Sequence, residues 1–311
     1  MKQECNHEQV RELLEGLERM AELYRSRKTS VRMSGIRKLK QYYRKGGIPE
    51  ILRHVSSRTS GLDRYIERPV NAAYERWSAD PERYFSDQRI AVYTACFGGY
   101  DRINAPVIHP DNIDYWLITD TPGMSEGWQE INGTERVPEA YRDDPVLANR
   151  WCKMHPQELF PEYDCSVYLD SNILVVSDLT AMTGALTDFP AAMFLHKNRN
   201  CVYDEIRACI LKGKDKEESL REHEALLKEH GVPEQYGLLE APIIVRRHND
   251  PRCIRLMDLW WSSFLNGCRR DQVSLIDALY QSGIPVETVG TLGNNVLRCN
   301  LVLFMKHAGQ I

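Results

Sequence analysis

From Arg89 onward, short strand-forming apolar runs alternate with segments of helical periodicity, and this alternation restricts the fold more than any other feature. IAVYTACFGGYD (90–101) reads as a buried strand running into a glycine-containing loop. DYWLITD (114–120) is a second strand, ending in Asp120. A helix is predicted from Asp144, with Asp144 as cap, Pro145 in the first position and Leu147, Trp151 and Met154 as its apolar stripe; Pro156 ends its regular part. SVYLDSNILVVSDL (166–179), AAMFLH (191–196) and APIIVRRH (241–248) supply further strands. The polar run from Lys212 to His230 reads as one solvated helix. Another helix is capped by Asp250 with Pro251 behind it, and a last one starts near Asp271 and stops before Gly283. VETVG and LVLFMKH are the final apolar segments. Strands alternating with helices imply an α/β fold, a mainly parallel Rossmann-like sheet with helices on both faces. Ligands of such sheets sit beyond the carboxyl ends of the strands. The residues there are Thr94, Ala95 and Cys96, Asp120, Asp170 to Asn172, and His196.

The first 88 residues differ. Positions 7–26 carry a helical apolar stripe, and shorter helical pieces are expected over 32–45 and 62–77. The expected organisation is a basic, helical N-terminal region (1–88) followed by the α/β domain (89–311). Arg25 to Arg58 hold eleven Lys or Arg against the single acid Glu50, although the whole chain has a formal net charge of −4. Such a block is either a solvated helical surface or a face for anionic lipid or an anionic polymer. No nucleic-acid-binding motif accompanies it, so no nucleic acid partner is expected. The chain has no apolar run of bilayer length, and its start lacks the apolar middle of a signal peptide. A cytoplasmic protein is expected, with the basic block available to the inner face of the membrane. The nine cysteines are odd in number and contain no C-x-x-C pair, which argues against a disulfide framework or a zinc knuckle.

The most informative irregularity is Asp170-Ser171-Asn172, which interrupts an otherwise apolar run. One reading is a tight turn between two short strands. The other is a cation site. A carboxylate among apolar residues is costly unless paired, hydrogen-bonded or bound to metal. Positions 170 and 172 point the same way on extended backbone. Oxygen ligands from Asp and Asn suit Mn²⁺ or Mg²⁺, and such a cation neutralises a diphosphate leaving group.

These segments resemble the glycosyltransferase-like family formerly catalogued as domain of unknown function 616, which includes plant proteins of mucilage and pectin synthesis. The resemblance runs through IAVYTACFGGYD, DYWLITD, DPVLANRWCKMHPQELFPEYDCSVYLDSNI, FLHKNRNCVYDE, GLLEAPIIVRRH and CRRDQVSL, covering about residues 89–275. Ser171 stands where that family usually has glycine, and both ligand positions flanking it are kept. The resemblance implies a GT-A-like fold and a metal-dependent glycosyltransferase of hexosyl- or uronosyltransferase class. The donor is then a nucleotide sugar, most plausibly UDP-linked, the acceptor a glycan or other surface polymer, and the stereochemistry leans to retention.

Roles follow from that reading. Asp170, Asn172 and His307 are the implied metal ligands. Thr94 to Tyr100 would hold the base, with Gly98 and Gly99 permitting close backbone approach. Asp120 would contact base or ribose, or serve as a turn residue. Arg150 and Lys153, three apart on one helix, share a face for the donor phosphates; Arg270 is placed near phosphate, and His196, with Arg199 and Glu205, near the substrate. Asp271, Gln272 and Glu240 are the catalytic candidates, although Asp271 also reads as a plain helix cap. Two alternatives share the fold: a nucleotidyltransferase making nucleotide sugars, which would want a more basic loop than YTACFGGYDR, and a non-catalytic glycan-binding protein.

Overall fold

The computed structural model describes residues 61–62, 77–78, 87–123 and 125–307. The helices expected over 7–26 and 32–45, most of that over 62–77, and the basic block lie outside these residues. The strands are β1 (Ile90–Cys96), β2 (Ile113–Thr119), β3 (Gln129–Asn132), β4 (Cys165–Leu169), β5 (Ile173–Val175), β6 (Ala191–Leu195), β7 (Leu239–Arg246) and β8 (Val302–Phe304). Six form one sheet in the order β3-β2-β1-β4-β7-β6, while β5 and β8 pair separately. β1 runs parallel to β2 and β4, and β2 to β3; β7 is antiparallel to both its neighbours. The mainly parallel sheet expected from the alternation is therefore present, with APIIVRRH as its reversed member. Strand order changes direction between β1 and β4, which is where a crevice opens in sheets of this kind.

Both faces of the sheet are covered, so its central strands read as continuous apolar runs rather than alternating ones. Every residue of β1 is buried. Ala91, Tyr93 and Ala95 face a core shared with Trp151, Met154, Trp260 and Ile276. Ile90 and Val92 face the other, with Val167, Val175, Met182 and Val245. Trp77 belongs to that second core, and the Leu62 carbonyl accepts from Arg199 at 3.0 Å, so described residues of the N-terminal region meet the α/β body.

The longer helices are α1 (Pro145–Met154), α2 (Val202–Lys212), α3 (Glu217–Glu229), α4 (Pro251–Asn266) and α5 (Asp271–Gln281). The caps of α1 and α4 are those expected: Asp144 accepts from the Val146 and Leu147 amides at 2.9 and 3.2 Å, and Asp250 from Arg252 at 2.9 Å. Two local readings change, and one segment left without an element gains one. The run 212–230 is not one helix: α2 ends at Lys212, Gly213 takes left-handed φ of 57°, and α3 begins at Glu217. Charged residues on both sides of the break masked the one C-terminal signal, the glycine. VETVG forms a single helical turn, Val286–Val289. Arg270, not Asp271, holds the cap position of α5, leaving Asp271 as its first helical residue. All eight described cysteines are free and buried. Among the described residues no helix is long and apolar enough to cross a membrane.

Gly267, just after α4, has no room for a side chain. A methyl there would fall well inside contact distance of the His223 ring, whose Nδ1 accepts the Cys268 amide at 3.0 Å. Gly267→Ala is expected to cost about 2 kcal/mol through overpacking and loss of that hydrogen bond. Urea unfolding checks this, and a midpoint equal to that of the parent chain refutes it.

Candidate functional site

A cleft of about 880 Å³ opens at the switch point between β1 and β4. Its walls come from the loop after β1, the exposed side of α1, the Asp170-Ser171 turn after β4, the start of β7, the N-terminal end of α5, and His307 beyond β8. Six cationic side chains (Arg150, Lys153, Lys197, Lys214, Arg269, Arg270) and four acidic ones (Asp170, Asp215, Glu240, Asp271) line it.

The centre of the charge is Asp271. Lys153 Nζ lies 2.7 Å from its Oδ2 and Arg150 Nε 3.3 Å from the same atom. Burial by itself pushes the Asp271 carboxyl up, but Arg150, Lys153 and Arg270 outweigh it and hold the group well below the usual carboxylate range. Lys153 is almost wholly buried, with its ammonium 5.0 Å from the Tyr168 ring centre and 3.6 Å from Asp170 Oδ1. The Nε atoms of both Arg150 and Arg270 are shielded from solvent and have no hydrogen-bond partner.

Lys153 is held from behind by a second buried cation. Arg246, fully enclosed, donates to the Lys153 carbonyl at 2.7 Å and to the Tyr93 hydroxyl at 2.5 Å. Tyr93 in turn donates to the Cys152 carbonyl at 3.1 Å. The last carbonyls of α1, which a helix leaves without internal partners, are thereby satisfied by a guanidinium and a phenol.

Glu240, near the start of β7, is the cleft carboxyl of opposite character. Burial is the largest influence on it and raises its pKa, partly countered by Lys197 and Arg199. Its Oε2 is buried without a hydrogen-bond partner, and His196 Nε2 lies 3.6 Å from its Oε1. Gln272 lines the cleft beside it and donates its amide N–H to the Leu239 carbonyl at 3.2 Å.

The Asp170 turn is anchored on several sides. Asp170 donates its amide to the Pro242 carbonyl, and Ile173 closes the turn onto the Asp170 carbonyl at 3.0 Å. β5 then leaves the main sheet to pair with β8. Asn172 donates Nδ2 to the Met305 carbonyl at 3.1 Å, which fixes the amide and leaves its oxygen uncommitted. His307 donates from Nδ1 to Asp101 Oδ2 at 2.6 Å, because a carboxylate oxygen can only accept; the lone pair of a neutral ring is then on Nε2. Ser171 Oγ donates to the same carboxylate oxygen at 2.7 Å.

These contacts bear on the implied cation. Among the described residues no three His, Cys, Asp or Glu side chains group closely enough to hold a metal by themselves. The mixed set fits in kind: a carboxylate at Asp170, an amide oxygen at Asn172 and an imidazole at His307 oriented by a buried carboxylate are donors that Mn²⁺ or Mg²⁺ accepts.

Of the other expected residues, two line the cleft and the rest fall around it. Ala95 and Cys96 line it, and the Ala95 carbonyl accepts from Asn149 at 2.6 Å, fastening the loop to α1. Thr94 is buried, with its hydroxyl unbonded, and is not a lining residue. Asp120 accepts the Gly98 amide with both oxygens at 2.9 and 3.0 Å and so shapes the loop, in which Gly98 and Gly99 have φ of 67° and 61°. His196 is buried and accepts the Asn198 and Arg199 amides with Nδ1 at 3.1 and 3.0 Å. Arg199 pairs with Glu205 at 2.6 Å behind it. Asp101, Ser171, Arg246 and Tyr93 had no assigned role in the sequence. Asp101 closes the IAVYTACFGGYD segment, and a carboxylate after a Gly-Gly turn at a strand end was the signal available for it.

No family model matches the chain, and no curated protein matches it. Solved structures similar to it include the galactosyltransferase LgtC in complex with donor and acceptor sugar analogues, at 12% identity and TM-score 0.38, covering 70% of this chain and 86% of that one. The bifunctional glycosyltransferase WbbM is similar at 15% identity and TM-score 0.36, over 63% of this chain and 38% of WbbM. The glycosyltransferase GlyE of Streptococcus pneumoniae is similar at 16% identity and TM-score 0.29, over 62% of this chain and 44% of GlyE.

Proposed function

We propose that this chain is a GT-A-type glycosyltransferase that moves a sugar from a nucleotide-diphosphate donor, UDP-linked, to a hydroxyl of a glycan or surface-polymer acceptor, with retention. The observation that carries the reading is the cluster around Asp271. Three cations crowd one buried carboxylate; Arg270 Nε has no hydrogen-bond partner, and Arg150 Nε has only its 3.3 Å ion-pair contact to Asp271. Buried donors of this kind are costly unless a ligand meets them, and phosphate oxygens are the acceptors guanidinium suits best. The cleft volume lies within the range of roughly 300–1,000 Å³ typical of ligand pockets.

In this reading Arg150, Lys153 and Arg270 bind the donor phosphates. Asp170, Asn172 and His307 are the residues that would hold Mn²⁺ or Mg²⁺, which when bound would supply positive charge opposite a departing diphosphate. Asp271 is held too firmly as an anion to accept a proton, so its work is to keep Arg150 and Lys153 in place. Glu240, with its raised pKa and unpartnered oxygen, is the group suited to meet the sugar's reacting centre or the incoming hydroxyl, and the Gln272 amide lies beside it. Removing its charge through Glu240→Gln is expected to lower turnover about 10²-fold while leaving circular dichroism and the thermal midpoint within error; unaltered turnover dismisses Glu240 from the chemistry.

The proposal as a whole is tested by thermal shift across nucleotides and nucleotide sugars, each with and without Mn²⁺. A UDP-sugar at 100 times its Kd adds about 2.7 kcal/mol of stability, and the shift is expected to need the metal. If no nucleotide moves the midpoint, the chain is not a nucleotide-sugar enzyme.

A further inference from the structure

We infer that Asp101 is a positioning residue that builds the cation corner. It fixes His307 in the tautomer whose Nε2 can bind a divalent ion and ties the Asp170–Asn172 turn to the same point through Ser171. The inference rests on the metal reading above and adds to it a residue and a hydroxyl that the reading does not contain.

Three observations converge. The Asp101 side chain is only 1% exposed, yet it sits on the loop after β1, where carboxylates are usually solvated. Its Oδ2 accepts two hydrogen bonds, from His307 Nδ1 at 2.6 Å and from Ser171 Oγ at 2.7 Å. The three residues come from separate parts of the chain: the end of the first strand loop, the turn after β4 and the segment after β8. A buried carboxylate that accepts a hydrogen bond from one imidazole nitrogen leaves the other nitrogen as a directed, more basic ligand. The Tyr100 ring, 5.4 Å from the imidazole centre, packs against His307 and limits the ring's alternatives.

Ser171 gains a reason from the same geometry. Its hydroxyl spends its proton on the carboxylate that orients His307, so the turn carrying Asp170 and Asn172 moves with His307 rather than independently. Asn172 adds a second tie to the same segment through the Met305 carbonyl, and the Met305 amide returns to the Asn172 carbonyl at 2.8 Å.

The test measures metal affinity and needs no turnover. Mn²⁺ is titrated into the full chain at saturating UDP, with free aquo-Mn²⁺ followed by electron paramagnetic resonance. Asp101→Asn, nearly isosteric, is expected to weaken Mn²⁺ binding 10- to 100-fold, and His307→Ala by at least as much. In the His307→Ala background, adding Asp101→Asn is expected to cost no more than the few-fold that the Ser171 tie supplies, because the larger part of its effect acts through His307. Ser171→Ala, which leaves both other partners in place, is expected to weaken binding a few-fold, and it decides the matter if Asp101→Asn fails to fold. Equal Mn²⁺ affinity in the parent chain and Asp101→Asn, an undiminished Asp101→Asn effect without His307, or a Ser171→Ala variant that binds as the parent does, each overturns the inference while the metal reading stands. A parent chain that binds no Mn²⁺ overturns both.

Discussion

Asp271→Asn is expected to destabilise the chain by about 3–5 kcal/mol, the range found when one partner of a buried ion pair is removed and the other is left behind. Lys153 is almost fully enclosed, and its 2.7 Å contact to Asp271 is much the shorter of its two carboxylate contacts, Asp170 standing at 3.6 Å. Arg150 and Arg270 would be left facing the same neutral amide. The expected fall in melting temperature is on the order of 10 °C for a chain of this size. The pH dependence gives a second readout. The folded-state pKa of Asp271 is depressed, so its contribution is complete above the unfolded-state value near pH 3.9 and is lost as pH falls below it. The parent chain should therefore begin to lose its advantage over Asp271→Asn below about pH 4 and go on losing it toward the much lower folded-state value, so the two stability curves should approach each other steadily as pH falls. Parallel curves, or a variant as stable as the parent at pH 7, would show that the three cations do not depend on this carboxylate. Extra anion affinity in the variant is also expected, since its cations have lost their internal counter-charge; inorganic pyrophosphate competition against UDP reads that out.

Asp170→Ala is expected to act on the opposite quantity. Its carboxylate is about one-third exposed and, among the described residues, its ion pair is the long one to Lys153, so its removal should cost little stability, within about 1 kcal/mol. Turnover is expected to fall about 10³-fold or more, the scale seen when a preorganised electrostatic contact to the reacting charge is lost, and the Mn²⁺-dependent part of the UDP-induced thermal shift should disappear with it. Stripping the parent chain with a chelator should give the same turnover as the variant. A well-folded Asp170→Ala chain with full activity would remove the turn from the chemistry altogether. The contrast between the two variants separates an acid that holds the wall of the cleft from one that faces the ligand.

Much of the architecture was legible because a few residue types have narrow meanings. Asp144-Pro145 and Asp250-Pro251 announced two helices to the residue, through cap chemistry that the backbone obeys. The fully apolar run of β1 announced a sheet covered on both sides. The failures were of two kinds. Local polarity hid the break at Gly213, where one glycine was set against a long charged stretch. Tertiary placement hid the rest. Nothing in the sequence distinguishes Lys153, drawn inward by Asp271, from the exposed Lys228 of α3, or shows that Asp271 and Glu240, both acids beside one cleft, are shifted in opposite directions, the first down by cations and the second up by burial. The Asp170 turn was singled out as a candidate because its carboxylate broke an apolar run. Asp101 was not, because a carboxylate in a loop looks ordinary until its burial is known.

The hydrogen bond between His307 and Asp101 joins positions 206 residues apart. During translation the sheet can assemble from β1 through β7 while that corner still lacks its imidazole and β5 lacks β8. Neither the His307–Asp101 contact nor the β5–β8 pair can therefore form until the segment through residue 307 has emerged, and a release that stops short of β8 would yield a chain whose main sheet is complete but whose cleft lacks this wall.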